Sequence, residues 1–283
     1  MLVHRLAAFT KDGKGGNPAG VAILDAPLVE AKMQSIAAEI GYSETAFLYP
    51  DGDIWKIRYF APEIEVPFCG HATIATGAQL GATFGAGTYI LELASGKQIP
   101  VQAEETEADW KSTFRSPPTW SKLMPDELLT ELLTLFGLTK DELDPGLPPH
   151  IIHAGATHGF LALRTRERLS QLGYNFEQGR MIQEREEFAT FHIVYAENKN
   201  LFHARDPFAV GGVYEDPATG AAAAAMGGFL RDIAWSDSGN FEIIQGEDIG
   251  KASRLIARYN DVSGEGVHIE GLVSKITAPL KVE

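Results

Sequence analysis

The sequence of 283 residues contains one cysteine, Cys69. A single thiol excludes a disulfide within the chain, a cysteine-rich zinc site and a racemase that uses two thiols of one chain. A reducing compartment suits such a chain, so we predict a cytoplasmic protein. Basic residues are also few, since 24 Lys and Arg stand against 38 Asp and Glu, a formal net charge of −14. This balance argues against binding to nucleic acid or to an anionic membrane.

Long apolar runs are absent as well. The most apolar stretch, residues 221–230, is much shorter than the roughly 20 residues that span a bilayer. The first residues show no basic segment followed by an apolar core, so we predict no signal peptide. With 45% hydrophobic and 22% charged residues, the composition is that of a folded protein long enough for about two domains.

Two segments rich in small residues each predict a helix, one over residues 69–84 and one ending at residue 230. Short strand patterns flank both segments, and a proline-rich stretch at residues 116–119 marks a candidate boundary between them. We therefore predict a duplicated α+β unit, with the active site between the two copies. The alternative is that alanine-rich helices recur through composition alone.

The first candidate site lies at the start of the earlier small-residue helix. A helix start exposes unpaired backbone N–H groups and a partial positive charge, and Gly70 would let a ligand approach that backbone. We expect a carboxylate to bind there, with His71 as acid, base or hydrogen-bond donor. The alternative is that His71 only caps local structure and that Cys69 is a small buried side chain.

The start of the later helix carries an acidic residue. Asp216 followed by Pro217 is typical of a helix start, with the aspartate as cap and the proline in the first turn. Two interpretations are open: Asp216 only caps the helix, or it supplies a carboxylate to the site.

Glu44 lies in a mostly apolar segment, residues 41–47. Burial of a carboxyl group is costly, raises its pKa and makes it a usable general acid and base. The alternative is an ordinary glutamate at a strand edge.

Motifs for metals and cofactors are missing. Residues 16–20 lack the lysine of a phosphate-binding loop, and there is no HExxH, CxxC or GxSxG sequence. His150, His153 and His158 have no partner at metal-site spacing, so we interpret them as loop residues or polar groups facing substrate. We predict no metal and no cofactor.

Four short motifs in order resemble the PhzF-like family of phenazine-biosynthesis proteins, from about Leu2 to the last strands. They are GNPAGV at 16–21, SETAF at 43–47, FCGHAT at 68–73 and EDPATG at 215–220. The resemblance implies an α+β, diaminopimelate epimerase-like fold, in which two similar domains each wrap a curved sheet around a central helix. The domains would be 1–117 with about 271–283, and 118–270, with the active site in the cleft between them.

The resemblance also implies a cofactor-independent isomerase that moves a proton on a small carboxylated substrate similar to a dihydro-hydroxyanthranilate. Glu44 would transfer the proton, while His71 and Asp216 would hold and polarise the substrate. A homodimer is implied as well. The implied substrate-binding residues are Asn17, Cys69, Gly70, Thr219, Gly220, Ala221 and Gln245.

Two positions depart from the family pattern. Ala221 stands where the characterised isomerase has a serine, so a hydroxyl that contacts substrate is missing. Lys251 replaces an arginine, whose two-pronged grip on a carboxylate a lysine cannot reproduce. Two alternatives therefore stand beside the isomerase: a non-catalytic protein that binds a small ligand, and a racemase or lyase that uses Cys69.

Overall fold

The computed structural model describes residues 1–107 and 109–282. The chain divides into two compact units, Met1–Arg115 with Glu270–Glu283, and Ser116–Ile269. The predicted boundaries, 1–117 with 271–283 and 118–270, differ from these by no more than two residues. Glu283, the last residue of the predicted C-terminal segment, lies outside the described residues.

The first unit is mostly strand, with one helix at its centre. Its elements up to residue 115 are β1 (Leu2–Ala8), β2 (Asn17–Ile23), α1 (Glu30–Ile40), β3 (Glu44–Asp51), β4 (Ile54–Phe60), β5 (Glu65–Val66), α2 (Gly70–Phe84), β6 (Gly87–Glu92), β7 (Gln98–Glu105) and β8 (Trp110–Arg115).

The second unit contains β9 (Trp120–Leu123), α3 (Asp126–Phe136), β10 (His150–His153), β11 (Thr157–Leu163), α4 (Arg166–Ser170), α5 (Phe176–Glu186), β12 (Phe188–Asn198), β13 (Leu201–Pro207), β14 (Glu215–Asp216), α6 (Gly220–Asp232), β15 (Asn240–Gln245) and β16 (Ser253–Arg258). The chain then returns in β17 (His268–Lys281), whose residues from Glu270 onward belong to the first unit.

Strand pairing in the first unit closes on itself. From β1, the pairs run through β2, β3, β4, β6, β7 and β8. The last strand, β17, pairs with both β8 and β1. Because a closed ring has no free edge, every strand of this ring has its backbone partners on both sides.

The helix α2 is held by this ring and contacts β1, β2, β3, β7 and β8. Its residues 70–81 are all buried. Small residues make this possible, because a Cβ atom on Gly77 would collide with Ser112 and Val101. The small residues in the sequence of α2 therefore indicate close contact between this helix and the surrounding strands.

The second unit also has a set of paired strands in contact with a helix rich in small residues. Its pairs run from β9 through β10, β11, β12, β13 and β15 to β16, and β14 adds to β13. The helix α6 contacts β9, β10, β11 and β16. A Cβ atom on Gly228 would lie 2.5 Å from the side chain of Thr119, so this helix also requires a glycine.

The outer helices follow ordinary amphipathic rules. In α3 the buried positions recur at helical spacing and join the core of the second unit. The helix ends where Gly137 adopts φ 58°, the left-handed conformation that glycine takes at little cost. In the described part of the chain, no helix combines the length and the apolar character needed to cross a membrane.

For two sets of residues, one of the two interpretations left open by the sequence is wrong. His150, His153 and His158 are not loop residues, because they lie in β10 and β11, which form one antiparallel hairpin. Asp216 is not a helix cap, because its backbone pairs with Asp206 in β14 and the helix α6 begins only at Gly220. A strand residue before the proline satisfies the preference of pre-proline residues for extended backbone.

Candidate active site

In the first unit, two chain segments bring Glu44 and the start of α2 together. The helix α1 ends at Ile40 and is followed by Gly41, which adopts φ 70°, and β3 starts at Glu44. In the parallel pair of β2 and β3, Glu44 lies opposite Ala19, and Asn17 starts β2 just before that position. Both Glu44 and Asn17 are buried. The predicted residues of this unit thus lie at strand and helix starts.

Three side chains form the centre of the site. Oε2 of Glu44 lies 3.2 Å from Nε2 of His71. Sγ of Cys69 lies 3.3 Å from Nδ1 and 3.8 Å from Nε2 of the same ring. Glu44 is 7% exposed, Cys69 7% and His71 5%, so water has little access to any of them. We call these three residues the acid–base cluster.

The carboxyl group of Glu44 is in an unusual state. Burial raises its pKa, and the hydrogen-bonding groups of Ser43 and Cys69 oppose that shift. Its Oε2 atom is buried and accepts no hydrogen bond, although Nε2 of His71 is near. Buried acceptors are almost always hydrogen-bonded, so an unsatisfied one points to a functional role.

Ser43 completes the cluster, and our sequence reasoning quoted it without assigning it a role. Its Oγ atom lies 3.3 Å from Nε2 of His71. The signal was its position directly before Glu44 in the SETAF motif. In chemical terms, a carboxyl, an imidazole and a thiol share one buried space beside the half-buried hydroxyl of Ser43, so a proton taken by one group can be stabilised by its neighbours.

The start of α2 presents backbone N–H groups that its own helix does not use. Cys69 is at the N-cap of α2 with extended backbone and makes no side-chain cap, and Gly70 is the first helical residue. No acidic residue stands in the first turn. The backbone N–H groups at such a start, with the helix dipole behind them, suit an anionic group such as a carboxylate.

The second unit has its own group of predicted residues around the start of α6. Oγ1 of Thr219 donates to Oδ2 of Asp216 at 2.6 Å. Nε2 of Gln245 donates to the Asp216 carbonyl at 2.8 Å and contacts Oγ1 of Thr219 at 3.0 Å, while its Oε1 accepts from the Thr219 N–H at 3.1 Å. We call these residues the hydrogen-bonded cluster.

Gln245 is fully buried and uses its amide within the unit, so we expect it to position Thr219 and Asp216. The backbone after Gln245 can approach Pro217 this closely because residue 246 is a glycine. Gly246 adopts φ 77°, and a Cβ atom there would lie 2.8 Å from the Pro217 carbonyl oxygen. Thr219 and Ala221 are only partly buried, whereas Gly220 between them is buried.

A buried ion pair fixes the strand that carries Asp216. Arg205 of β13 donates to both carboxylate oxygens of Glu215, and also to the carbonyls of Leu169, Ser170 and Leu172. Two donors from one guanidinium to one carboxylate define its direction closely. Our sequence reasoning missed Arg205, because no pattern identified β13 as a strand.

The sequence profile described as phenazine biosynthesis-like protein matches residues 6–274. The chain belongs to the phenazine biosynthesis-like family. The resemblance drawn from the four motifs is thereby confirmed.

Relatives of this family member carry isomerase names. A protein named uncharacterized isomerase YddE from Salmonella typhimurium is 31% identical over 284 residues, 95% of this chain and 94% of the relative. The trans-2,3-dihydro-3-hydroxyanthranilate isomerase of Pseudomonas fluorescens is 30% identical over 277 residues, 92% and 94% of the two chains. The prediction that this chain is an isomerase of the family is confirmed by these relatives.

A solved structure supports the fold of this family member. The Bacillus anthracis phenazine biosynthesis protein of the PhzF family covers 100% of this chain and 99% of its own, with a TM-score of 0.84 and 24% identity. At that identity the likeness shows a shared fold. It confirms the mixed, sheet-rich α+β architecture.

Proposed function

We propose that the protein is a cofactor-independent isomerase in which Glu44 moves a proton on a small carboxylated ring. The observation that carries the proposal is the buried Oε2 of Glu44, which accepts no hydrogen bond and lies 3.2 Å from His71. An oxygen in this state can accept a proton from a substrate without first losing a hydrogen bond.

The chemistry suits proton transfer at carbon. A proton next to an activated double bond is weakly acidic, so its removal needs a positioned base and stabilisation of the developing negative charge. Burial raises the pKa of Glu44 toward the working pH, where one group can both take and return a proton. The imidazole of His71, next to Glu44, would polarise the substrate by donating a hydrogen bond.

The substrate class follows from the relative. The Pseudomonas fluorescens protein is named for a dihydro-hydroxyanthranilate, a ring with a carboxylate, and we propose a substrate of this kind here. The backbone N–H groups at the start of α2, with the helix dipole behind them, would bind the carboxylate. We propose that Asp216 and Thr219 also bind substrate, and that Ala221, without a hydroxyl, shifts the preferred ring substituents.

The test is hydrogen exchange measured in D₂O. The purified chain is incubated with a panel of hydroxylated, carboxylated rings that includes the dihydro-hydroxyanthranilate, and proton NMR follows deuterium uptake and double-bond migration. We expect the wild type to exchange at least one member and Glu44→Gln to lose the exchange.

The matched control is Glu39→Gln, the same substitution at an exposed position of α1 in the same unit. It should exchange as the wild type does. Exchange by Glu44→Gln at the wild-type rate would overturn the mechanism. Binding of panel members without any exchange would favour the ligand-binding alternative.

A second candidate rests on Cys69. Its Sγ atom lies 3.3 Å from Nδ1 of His71, which is hydrogen-bonding distance for a thiol that passes a proton to imidazole. A racemase or lyase of this kind would lose activity with a thiol reagent at Cys69 and would still exchange protons as Glu44→Gln.

A further inference from the structure

A buried polar network lies in the sheet of the second unit, and the proposed reaction does not use it. Nδ1 of His192 lies 2.7 Å from Oδ1 of Asp206, and Oγ1 of Thr190 donates to Oδ2 of the same carboxylate at 3.3 Å. His158 extends the network, because its Nδ1 lies 2.8 Å from Oγ1 of Thr190. His158, His192 and Asp206 are fully buried. A carboxylate so far from water needs such partners.

The contacts assign the hydrogen atoms of this network. The hydroxyl hydrogen of Thr190 goes to Asp206, so Thr190 accepts from His158, whose Nδ1 therefore carries a hydrogen. An ionised carboxylate only accepts, so Nδ1 of His192 carries a hydrogen too. Nε2 of His192 has no hydrogen-bond partner among the described residues. Because a buried nitrogen without a partner costs free energy, the benefit of an imidazole at this position lies in its bond to Asp206.

Asp206 connects this network to Asp216. The two residues are directly opposite each other in the antiparallel pair of β13 and β14. Side chains of directly opposite residues lie on one face of the sheet with their Cβ atoms about 5 Å apart, and like charges in such a pair repel each other. Both residues are buried, with Asp206 0% and Asp216 5% exposed. Water therefore weakens the repulsion between the two carboxylates very little.

The other charges around β14 have partners of their own. Arg205 binds Glu215, the residue before Asp216, and Arg166 lies 3.0 Å from Asp248. The partners of Asp216 in the hydrogen-bonded cluster are uncharged side chains. Among the described residues, the titratable side chain in contact with the Asp206 carboxylate is thus His192.

We propose that His192 and Asp206 are positioning residues for the substrate site. By donating a hydrogen bond to Asp206, His192 reduces the repulsion that Asp206 exerts on Asp216, which can then stay ionised on the same face of the sheet. An ionised Asp216 accepts hydrogen bonds from the amino or hydroxyl groups of a substrate ring. This use of Asp216 rests on the proposed function, whereas its ionisation does not.

The direct test is a pH titration of Asp216, followed by ¹³C NMR of the aspartate carboxyl groups in the labelled full chain. The signal of Asp216 is assigned by its loss in Asp216→Asn. We expect its midpoint to move upward by about one pH unit in His192→Leu, where Asp206 is left without the imidazole. His192→Asn is the matched control, because asparagine has the size of leucine and keeps an N–H near the position of Nδ1. Its midpoint should stay close to that of the wild type.

Removal of the charge on Asp206 should reverse the effect. The double variant His192→Leu with Asp206→Asn should return the midpoint of Asp216 to the wild-type value or below it, because the opposing charge is gone. A merely structural role of the pair would predict further damage instead. With the dihydro-hydroxyanthranilate as substrate, the pH below which KM rises should move upward in His192→Leu by the same amount as the midpoint, with kcat little changed.

Equal midpoints of Asp216 in His192→Leu and wild type would overturn the proposal, and so would equal shifts in His192→Leu and His192→Asn. Thermal unfolding shows whether each variant is folded. If His192→Leu is not, Asp206→Asn decides alone: it should lower the midpoint of Asp216, and an unchanged midpoint would contradict the proposal. If the midpoints move as expected but the wild type exchanges no panel member, the proposed function fails while the role of His192 toward Asp216 stands.

Discussion

The starts of the two central helices differ in how their side chains are satisfied. At the start of α6, the side chains of the hydrogen-bonded cluster, Asp216, Thr219 and Gln245, are hydrogen-bonded within the cluster. At the start of α2, the acid–base cluster holds a buried oxygen that accepts no hydrogen bond.

This difference supports the roles proposed above for the two groups of residues. A hydrogen-bonded group is held in one orientation and is suited to bind a substrate, whereas a buried oxygen without a hydrogen bond, next to an imidazole, is suited to change its protonation. Burial at a small-residue helix is common to both starts, so the fold alone does not decide which one is reactive.

The largest effect should come from Glu44→Gln compared with Asp216→Asn. We expect Glu44→Gln to lower kcat by roughly 10²–10⁴-fold with KM little changed, because it removes the proposed base. Asp216→Asn should act mainly on KM, because it changes a group that we propose binds the substrate. Steady-state kinetics on the substrate found by exchange separates the two. Equal losses of kcat in the two variants would contradict the proposal that the two helix starts have different roles.

The next largest effect should be the loss of stability when a methyl group is added to a glycine of either central helix, α2 or α6. Gly77→Ala should lower the free energy of unfolding by about 1–3 kcal/mol, because the new Cβ atom would collide with Ser112 and Val101. Gly228→Ala should do the same through Thr119. Denaturant unfolding measures both. Gly87→Ala is the control, since a Cβ atom there has no neighbour within 4 Å. A Gly77→Ala variant as stable as this control would contradict close contact around α2.

Loss of one hydroxyl group in the hydrogen-bonded cluster should have a smaller effect on kcat/KM. Thr219→Val removes the donor to Asp216 and the contact with Gln245 while keeping the shape of the side chain. We expect kcat/KM to fall by about tenfold, which corresponds to one or two hydrogen bonds. Thr219→Ser, which keeps the hydroxyl, should restore most of the loss. If Thr219→Val matches wild type, the hydroxyl has no part in substrate binding.

The smallest effect concerns a buried histidine of the second unit. Burial, with repulsion from His192 and His153, holds the pKa of His158 well below its ordinary value of 6.5. As the pH falls through that ordinary value, the unfolded chain takes up a proton that the folded chain refuses, so the free energy of unfolding decreases.

We therefore expect His158→Gln to flatten the loss of thermal stability between about pH 7 and pH 5, whatever its effect at pH 7. His268→Gln, at an exposed position, is the matched control and should keep the wild-type slope. An unchanged slope in His158→Gln would show that another group causes the pH dependence. Glu44 acts in the opposite sense, because a raised pKa costs stability as the pH rises.

The sequence predicted the first unit better than the second. Glu44, Gly70 and His71 could be named as candidates because a lone carboxyl in an apolar segment and a glycine before a small-residue helix are local signals. The family resemblance then supplied their proposed roles.

In the second unit, the sequence patterns that could have identified the strand β13 and the role of Asp216 were weak or ambiguous. The strand β13 reads LFHARDP, and because five of its residues are buried in a run of mixed polarity, no period of two marks it as a strand. Arg205 was missed with it. The dipeptide Asp216-Pro217 was ambiguous, since the same residues suit a helix cap and an extended segment before proline. Only the pairing with Asp206 decides between them.

The closing of the first ring by β17 has a consequence for biosynthesis. The strand that joins β8 to β1 is the last of the described elements to be synthesised, and Val282 accepts a hydrogen bond from the first residue at 3.0 Å. Residues 116–269 are complete before that strand has been made. Until that strand has been made, β1 and β8 each lack one of their two strand partners, so the ring of the first unit cannot close before the last described strand is available.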